Sequence, residues 1–279
     1  MEPEEIAARV WPGRGVELEV LGGGITNRNF EVTVDGERYV LRIGGKDTEL
    51  LGIDGTAEHA ASCAAAALGI GPEVVAFVEP EGYLVTRYVE GRVGEVDLER
   101  VGVLLRRLHD GPELPARFDS FRVVDVYRDT ALARGVAVPD AYERARATAE
   151  LIERRRSAVA ARPCHNDLLN ANFISDGDRL WIVDWEYAGM GDPFFDLGNF
   201  AVNHELDEEG EHALLAAYGS DDRDALVLMR FMSDFREAMW GVVQQGISEL
   251  EFDFAAYADE HFERLERTAA DPRFRAALH

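Results

Sequence analysis

The stretch CHNDLLNANF, residues 164 to 173, is followed after a short hairpin by VDWEYAGMGDPFFD, residues 183 to 196, and these two blocks decide the reading of the chain. Asp167 stands two residues after His165, Asn172 stands five residues after Asp167, and Asp184 opens the second block. Between the blocks, NANFIS and RLWIVDW flank Asp176-Gly177-Asp178, and an Asp-Gly pair between apolar runs signals a hairpin. Asp167 and Asn172 therefore sit at the two ends of one tight loop, and the hairpin delivers Asp184 at the end of its second strand. Phosphoryl transfer to a hydroxyl needs such groups: a carboxylate near the attacking oxygen, and oxygen ligands that hold Mg²⁺ across the phosphates of ATP. On this reading Asp167 orients or deprotonates the hydroxyl, and Asn172 and Asp184 are metal ligands. Taken singly, each is an ordinary turn or cap residue. The catalytic reading rests on the whole set, with His165 just before it.

Working outward, VELEVLG, NFEVTVDG and ERYVLRI alternate apolar and polar residues around Gly-rich and Asp-Gly turns, which predicts an antiparallel meander. An Ala-rich helix from about Gly55 to Leu68, stopped by Gly69, comes next, and PEVVAFV and GYLVTRYV read as two more strands. Beyond Glu90-Gly91 the period becomes helical in DLERVGVLLRRLH, in DAYERARATAELIERRR and in most of the chain after Pro193. The expected architecture is α+β and bilobal: a small antiparallel β lobe with one helix over residues 1 to 90, and a larger, mainly helical lobe over 91 to 279. There is no internal repeat and no low-complexity tract.

At 279 residues the chain can bury a sizeable core without disulfides or structural metals. Its 29 basic residues against 53 acidic ones leave a net charge of −24, a field that repels nucleic acid and anionic lipid and attracts a cationic small molecule. All but one of the basic residues are arginine, the exception being Lys46, which fits either a GC-rich genome or an acidic, halophilic proteome. Cys63 and Cys164 are far apart and form no CxxC knuckle, so a reducing cytoplasm is the expected location. The opening MEPEEIAARVW has no basic and apolar leader pattern, and the longest uncharged stretch, HAASCAAAALGIGP, is too short for a bilayer. A thiol nucleophile at Cys164 lacks an orienting partner in sequence, so an inert buried thiol is expected.

In their order, GGGITNRNF at 22 to 30, YVLRI at 39 to 43 with GIDGTAEHA after it, LVTRYVEG, CHNDLLNANF, VDWEYAGMGDPFFDLGNF and AMWGVVQQGIS resemble the choline and ethanolamine kinase family. That family lies within the aminoglycoside-phosphotransferase-like kinases, whose fold is protein-kinase-like. The resemblance covers nearly the whole chain. It implies an ATP- and Mg²⁺-dependent kinase for the hydroxyl of a small cationic alcohol, choline first and ethanolamine next. It also implies Asp167 as the catalytic base and Asn172 and Asp184 as Mg²⁺ ligands. Residues 84 to 91, with Arg87 and Tyr88, correspond to the hinge that receives adenine. Gly23 and Gly24 allow backbone N–H groups to approach phosphates, and Thr26 and Asn27 look like the polar residues of the family's phosphate loop. A dinucleotide fingerprint is excluded because NFEVTV continues as strand where a helix would be needed.

Protein kinases pair a strand lysine with a helix glutamate; here the corresponding pair is Arg42 and Glu58, and the choline kinase group is similar in placing arginine on that strand. A guanidinium suits phosphate oxygens, and Glu58 would fix its direction. An ammonium head needs aromatic faces and carboxylates, for which Trp185, Glu186, Tyr187 and Trp240 are the candidates. The family's late helix carries two tryptophans a turn apart, of which this chain keeps Trp240 and shows Val243 at the second place. FAVNHEL also departs from the family after Asn199, with Glu205 close by. Asp196 is implied as a structural acid that hydrogen-bonds the catalytic loop. Two other readings stay open: a kinase of the same fold for an aminoglycoside, thiamine or another alcohol, and a nucleotide-binding regulatory protein without turnover.

Overall fold

The computed structural model describes residues 1 to 22, 27 to 45 and 48 to 279. The chain opens with a helix that the strand reading of this region does not contain, α1 (Pro3–Val10). It starts at a capping box, in which the side chains of Glu2 and Glu5 each accept the other's backbone N–H, and Pro3 takes the first turn. Strands β1 (Val16–Leu21), β2 (Arg28–Val34) and β3 (Glu37–Ile43) then form the expected antiparallel meander. The turn between β2 and β3 is Asp35-Gly36, both at positive φ as a two-residue hairpin loop requires. Along β3 the side chains alternate: Tyr39, Leu41 and Ile43 are buried with Ile6 of α1 and with Trp11 just after it beneath the sheet, so Arg42 stands on the opposite face.

Helix α2 (Gly55–Ala67) begins where the Asp54 side chain accepts the N–H groups of Thr56 and Ala57, and the chain leaves it through Gly69 at φ +69°. Strands β4 (Val74–Val78) and β5 (Tyr83–Arg87) complete a five-stranded antiparallel sheet in the order β1-β2-β3-β5-β4, with Arg42 opposite Leu84. Three strands, one helix and two strands are what the sequence predicts.

The remainder is mainly helical: α3 (Leu98–His109), α4 (Val123–Ala133), α5 (Ala141–Arg156), α6 (Pro193–Asn203), α7 (Glu208–Tyr218), α8 (Arg223–Ile247), α9 (Phe254–Ala270) and α10 (Pro272–Leu278). Many of the acidic residues serve as caps. Asp97, Asp192, Asp207, Asp222, Asp253 and Asp271 each accept a first-turn N–H with the side chain, satisfying donors that a helix leaves open. Short strands interrupt the helices: β6 (Arg92–Val93), β7 (Arg162–Cys164), β8 (Phe173–Ser175), β9 (Leu180–Ile182) and β10 (Gly189–Gly191). β8 and β9 make the predicted hairpin, with Phe173 opposite Ile182, and β6 pairs on the outer side of β8. β7 pairs with β10, so the segment from His165 to Asn172 leaves one small sheet and enters the other.

Helix α8 is the axis of this half, packed against α4, α6, α9 and α10, and nearly all of Ala225–Gln244 is buried. α6 approaches it backbone to backbone at Gly198, where an added Cβ would stand 2.6 Å from the Met229 carbonyl carbon and 2.7 Å from the Arg230 nitrogen. In an open helix, glycine to alanine gains about 0.5–1 kcal/mol; against fixed backbone, overpacking of about 1–3 kcal/mol reverses the sign. Gly198→Ala should therefore lower the unfolding free energy by about 1–2 kcal/mol in denaturant titration, and equal or higher stability would show that the two helices have room to separate.

Candidate active site

The loop after β7 is held by α6. Asp196, in the first turn of that helix and fully buried, accepts the Asn166 N–H on Oδ1 at 2.7 Å and the His165 N–H on Oδ2 at 2.8 Å. His109 of α3 donates its Nε2–H to the same Oδ2 at 3.0 Å while its Nδ1 accepts from the Tyr218 hydroxyl at 2.8 Å. One turn along α6, Asn199 Oδ1 accepts the Leu168 N–H at 2.5 Å, and its amide donates to Ser233 of α8 at 3.0 Å. Asn166 adopts a left-handed backbone, φ +66°, which asparagine tolerates better than most residues, and its side chain donates to the Tyr187 carbonyl at 3.0 Å. The loop's conformation is thus dictated by buried acceptors at set positions, and not by its own propensity.

His165 completes this frame. Its Nε2–H donates to the Val183 carbonyl at 3.0 Å and its Nδ1 accepts the Asp167 N–H at 3.3 Å, an arrangement that only the neutral Nε2–H tautomer satisfies. Burial lowers its pKa, in keeping with that neutral form. At the loop's far end the Asn172 amide donates to the Asp167 carbonyl at 2.8 Å, and Val183 donates its N–H to the Asn172 carbonyl at 2.9 Å. Asp184, next in the chain, is thereby brought beside Asn172, with φ +68°. Holding a non-glycine residue there costs on the order of 1 kcal/mol or more, a strain that tends to gather at functional sites.

Arg42 reaches Asp184 from the sheet. Its Nη1 donates to Asp184 Oδ1 at 2.5 Å, its Nη2 donates to Glu186, and its Nε lies 3.1 Å from Glu58 Oε1 on α2. Asn27 also donates to Glu186 Oε2, at 2.7 Å. Three carboxylates thus share one guanidinium, and burial pushes the Glu58 carboxyl up to about 7 in spite of Arg42. Such a cluster has oxygen ligands and negative charge in excess, the donor chemistry of a Mg²⁺ site. Asn172 fits as well, because its amide nitrogen is committed to the Asp167 carbonyl, leaving its oxygen as the ligand atom.

Asp167 itself is 6% exposed, and burial raises its carboxyl above the usual range while Arg236 of α8 pulls it back. Arg236 Nη1 donates to Asp167 Oδ1 at 3.0 Å and to Glu237 Oε1 at 2.5 Å, and its guanidinium lies over the Tyr187 ring, 4.4 Å from the centroid. Tyr257 of α9 donates its hydroxyl to Glu237 Oε2 at 2.8 Å, and the Trp240 indole N–H donates to the Tyr187 hydroxyl at 3.2 Å. Asp167, Tyr187 and Trp240 therefore meet in one buried cluster, together with Arg236, Glu237 and Tyr257.

Several sequence candidates lie elsewhere. Gly23, Gly24 and Thr26 fall outside the described residues. Trp185 is not in the Arg236 cluster: it is 3% exposed among Ala65, Ile70 and Leu197, and its N–H is taken by the Ile182 carbonyl, so core packing claims it. Glu186 faces Arg42 and Asn27, a permanent cation and an amide donor that together satisfy a buried carboxylate. Arg87 is half-exposed and pairs with Glu37, and Tyr88 carries Arg38 over its ring at 3.7 Å. Val243 is buried in the apolar core and Glu205 is exposed. Cys164 is buried, and desolvation drives its thiol far above the ordinary pKa, which leaves it inert. Sequence reasoning gave no role to Arg236, Glu237, Tyr257 or Asn199, and it read His109 as a surface or satisfied histidine, of which its two ring hydrogen bonds make it the second. Arg236-Glu237 had a visible signal, two adjacent charges directly before the apolar stretch AMWGVV in the run MRFMSDFREAMWGVV.

Residues 17 to 229 match the model of a family described as the phosphotransferase enzyme family. Protein LicA of Haemophilus influenzae is 30% identical over 209 residues, which cover 70% of this chain; the match spans 61% of that relative's length. Among solved structures, a choline/ethanolamine kinase family protein from Mesorhizobium loti superposes with a TM-score of 0.83 at 31% identity, covering 100% of this chain and 98% of that one. The choline kinase LicA from Streptococcus pneumoniae shares the fold, with a TM-score of 0.80 at 24% identity over 96% of this chain and 97% of that one.

Asp196→Ala would leave the buried N–H groups of His165 and Asn166 without acceptors, and each such loss costs about 1–3 kcal/mol. The variant should lose about 3 kcal/mol or more of stability, with faster amide exchange at these two residues. Unchanged exchange there would show that the loop is held by other contacts.

Proposed function

The chain belongs to the phosphotransferase enzyme family, and we propose that it transfers the γ-phosphoryl group of ATP to the hydroxyl of a small amino alcohol, choline or ethanolamine. The observation that carries this reading is the placement of a buried carboxylate, Asp167, between a cluster suited to Mg²⁺ and phosphates and a cluster of aromatic and acidic side chains suited to an ammonium head. The acceptor hydroxyl donates to the Asp167 carboxylate, which holds it in line with the γ-phosphorus. As the new P–O bond forms, the bond to the β-phosphate oxygen breaks, ADP departs, and the hydroxyl proton stays on Asp167.

Asn172 and Asp184 would hold Mg²⁺, which when bound supplies charge neutralisation across the phosphates. Arg42, kept in direction by Glu58, presents its fork to phosphate oxygens, for which it exchanges some of its carboxylate partners. Residues 84 to 91 would receive adenine where the lobe of residues 1 to 90 meets that of 91 to 279. No helix among the described residues is long and apolar enough to cross a membrane, and the two unpaired cysteines fit a cytoplasmic enzyme.

The test is ADP release with Mg²⁺ and ATP, with choline, ethanolamine, thiamine, an aminoglycoside or no acceptor. Release that depends on choline or ethanolamine is expected; release only with another acceptor, or with none, would remove the amino-alcohol reading. Asp167→Ala should lower turnover by about 10²–10⁴-fold while nucleotide still binds, whereas Asp184→Ala should weaken Mg²⁺-dependent nucleotide binding as well. Wild-type turnover in the first variant, or wild-type nucleotide affinity in the second, would remove the assigned role.

A further inference from the structure

Beside Asp167 the chain holds a cation of its own. Arg236 is 2% exposed, bonded to the carboxylates of Asp167 and Glu237 and laid over the face of Tyr187. Two carboxylates and an aromatic face are what an ammonium head would seek in this cluster. They are already engaged. The guanidinium edge that carries Nε and Nη2 has no hydrogen-bond partner among the described residues, although it is fully buried. A guanidinium kept only for stability would be expected to have both edges satisfied, since each buried open donor is costly.

We infer that Arg236 is a specificity-determining residue of the acceptor site, selecting an acceptor with a hydrogen-bonding primary ammonium over one with a quaternary ammonium. The inference rests on the amino-alcohol reading above. A trimethylammonium group donates no hydrogen bond and depends on aromatic faces. One face of Tyr187 is covered by Arg236, Trp240 is flanked edge-on by Phe254 and Tyr257 at 5.7 Å, and Val243 is a core residue. A primary ammonium carries three donors and needs only oxygen lone pairs. A carboxylate offers about four acceptor positions, of which Arg236 takes one on Asp167 Oδ1 and one on Glu237 Oε1, and Tyr257 takes one on Glu237 Oε2. One guanidinium against two carboxylates also leaves negative charge for one further cation. The open edge of Arg236 remains for an oxygen of the bound reactants.

The experiment measures kcat and KM for ethanolamine and choline, with Mg²⁺ and ATP, in the wild type and in Arg236→Gln. The wild type should favour ethanolamine by about tenfold or more in kcat/KM. In Arg236→Gln that ratio should fall by about tenfold, chiefly through a lower KM for choline. The double variant R236Q/E237Q removes the charge pair together and covers the case in which the single variant, with two carboxylates left unpaired, does not fold; the ratio should fall in it as well. A wild type that prefers choline, or a ratio unchanged in the folded variants, would overturn the inference and leave the amino-alcohol reading standing. Turnover of neither amine by the wild type would overturn both.

Discussion

Asp196 is the contact on which the site depends. One carboxylate with no exposure takes the two successive N–H groups at the start of the loop after β7 and the imidazole of His109. The loop cannot satisfy these donors itself, because Asn166 is in the left-handed region and the chain has left strand geometry. Asp196 in turn is placed by α6, which starts at the Asp192 cap and runs against α8 at the close approach of Gly198. The position of Asp167 therefore traces back to helix packing some thirty residues away in sequence, and to a glycine whose missing side chain lets two backbones meet.

Buried charge is distributed around that frame in two clusters. Arg42 is shared by Glu58, Asp184 and Glu186, and Arg236 is shared by Asp167 and Glu237. Ion pairs of this kind are poor contributors to stability, because desolvating the partners offsets most of their attraction. Each cluster also has more carboxylate than cation, an imbalance that would be selected against in a purely structural core. The imbalance has a sense if the missing positive charge arrives with the reactants: Mg²⁺ at the first cluster and an ammonium at the second. The acidity of the surface then acts at longer range, concentrating cations near a site that is itself short of them.

Much of this was legible in the sequence because it is local. The period-two strands, the Asp-Gly hairpin and the His-x-Asp spacing are written within short windows, and tertiary structure had little to override. Helix α1 was missed because eight residues behind an acidic start carry too little periodicity, although the Glu2–Glu5 capping box was there to be read. Trp185 and Glu186 were misjudged for a different reason. Adjacent residues after a strand point in different directions, and only the packed lobes show that one enters the core and the other meets Arg42 from β3.

The cluster around Arg236 was the least legible part because no window contains it. Asp167 comes from the loop after β7, Tyr187 from the segment before β10, Arg236, Glu237 and Trp240 from α8, and Tyr257 from α9. In sequence, Arg236 and Glu237 read as a charged interruption of an amphipathic helix, which usually marks a solvated face. Yet α8 is buried on nearly every side over Ala225–Gln244, so the interruption has no solvent to face. A charged pair buried in a helix with almost no solvent-facing side is therefore a place where this chain's sequence and its packing disagree locally. Such disagreements persist where function maintains them, and this is the ground on which we assign the acceptor preference to the pair.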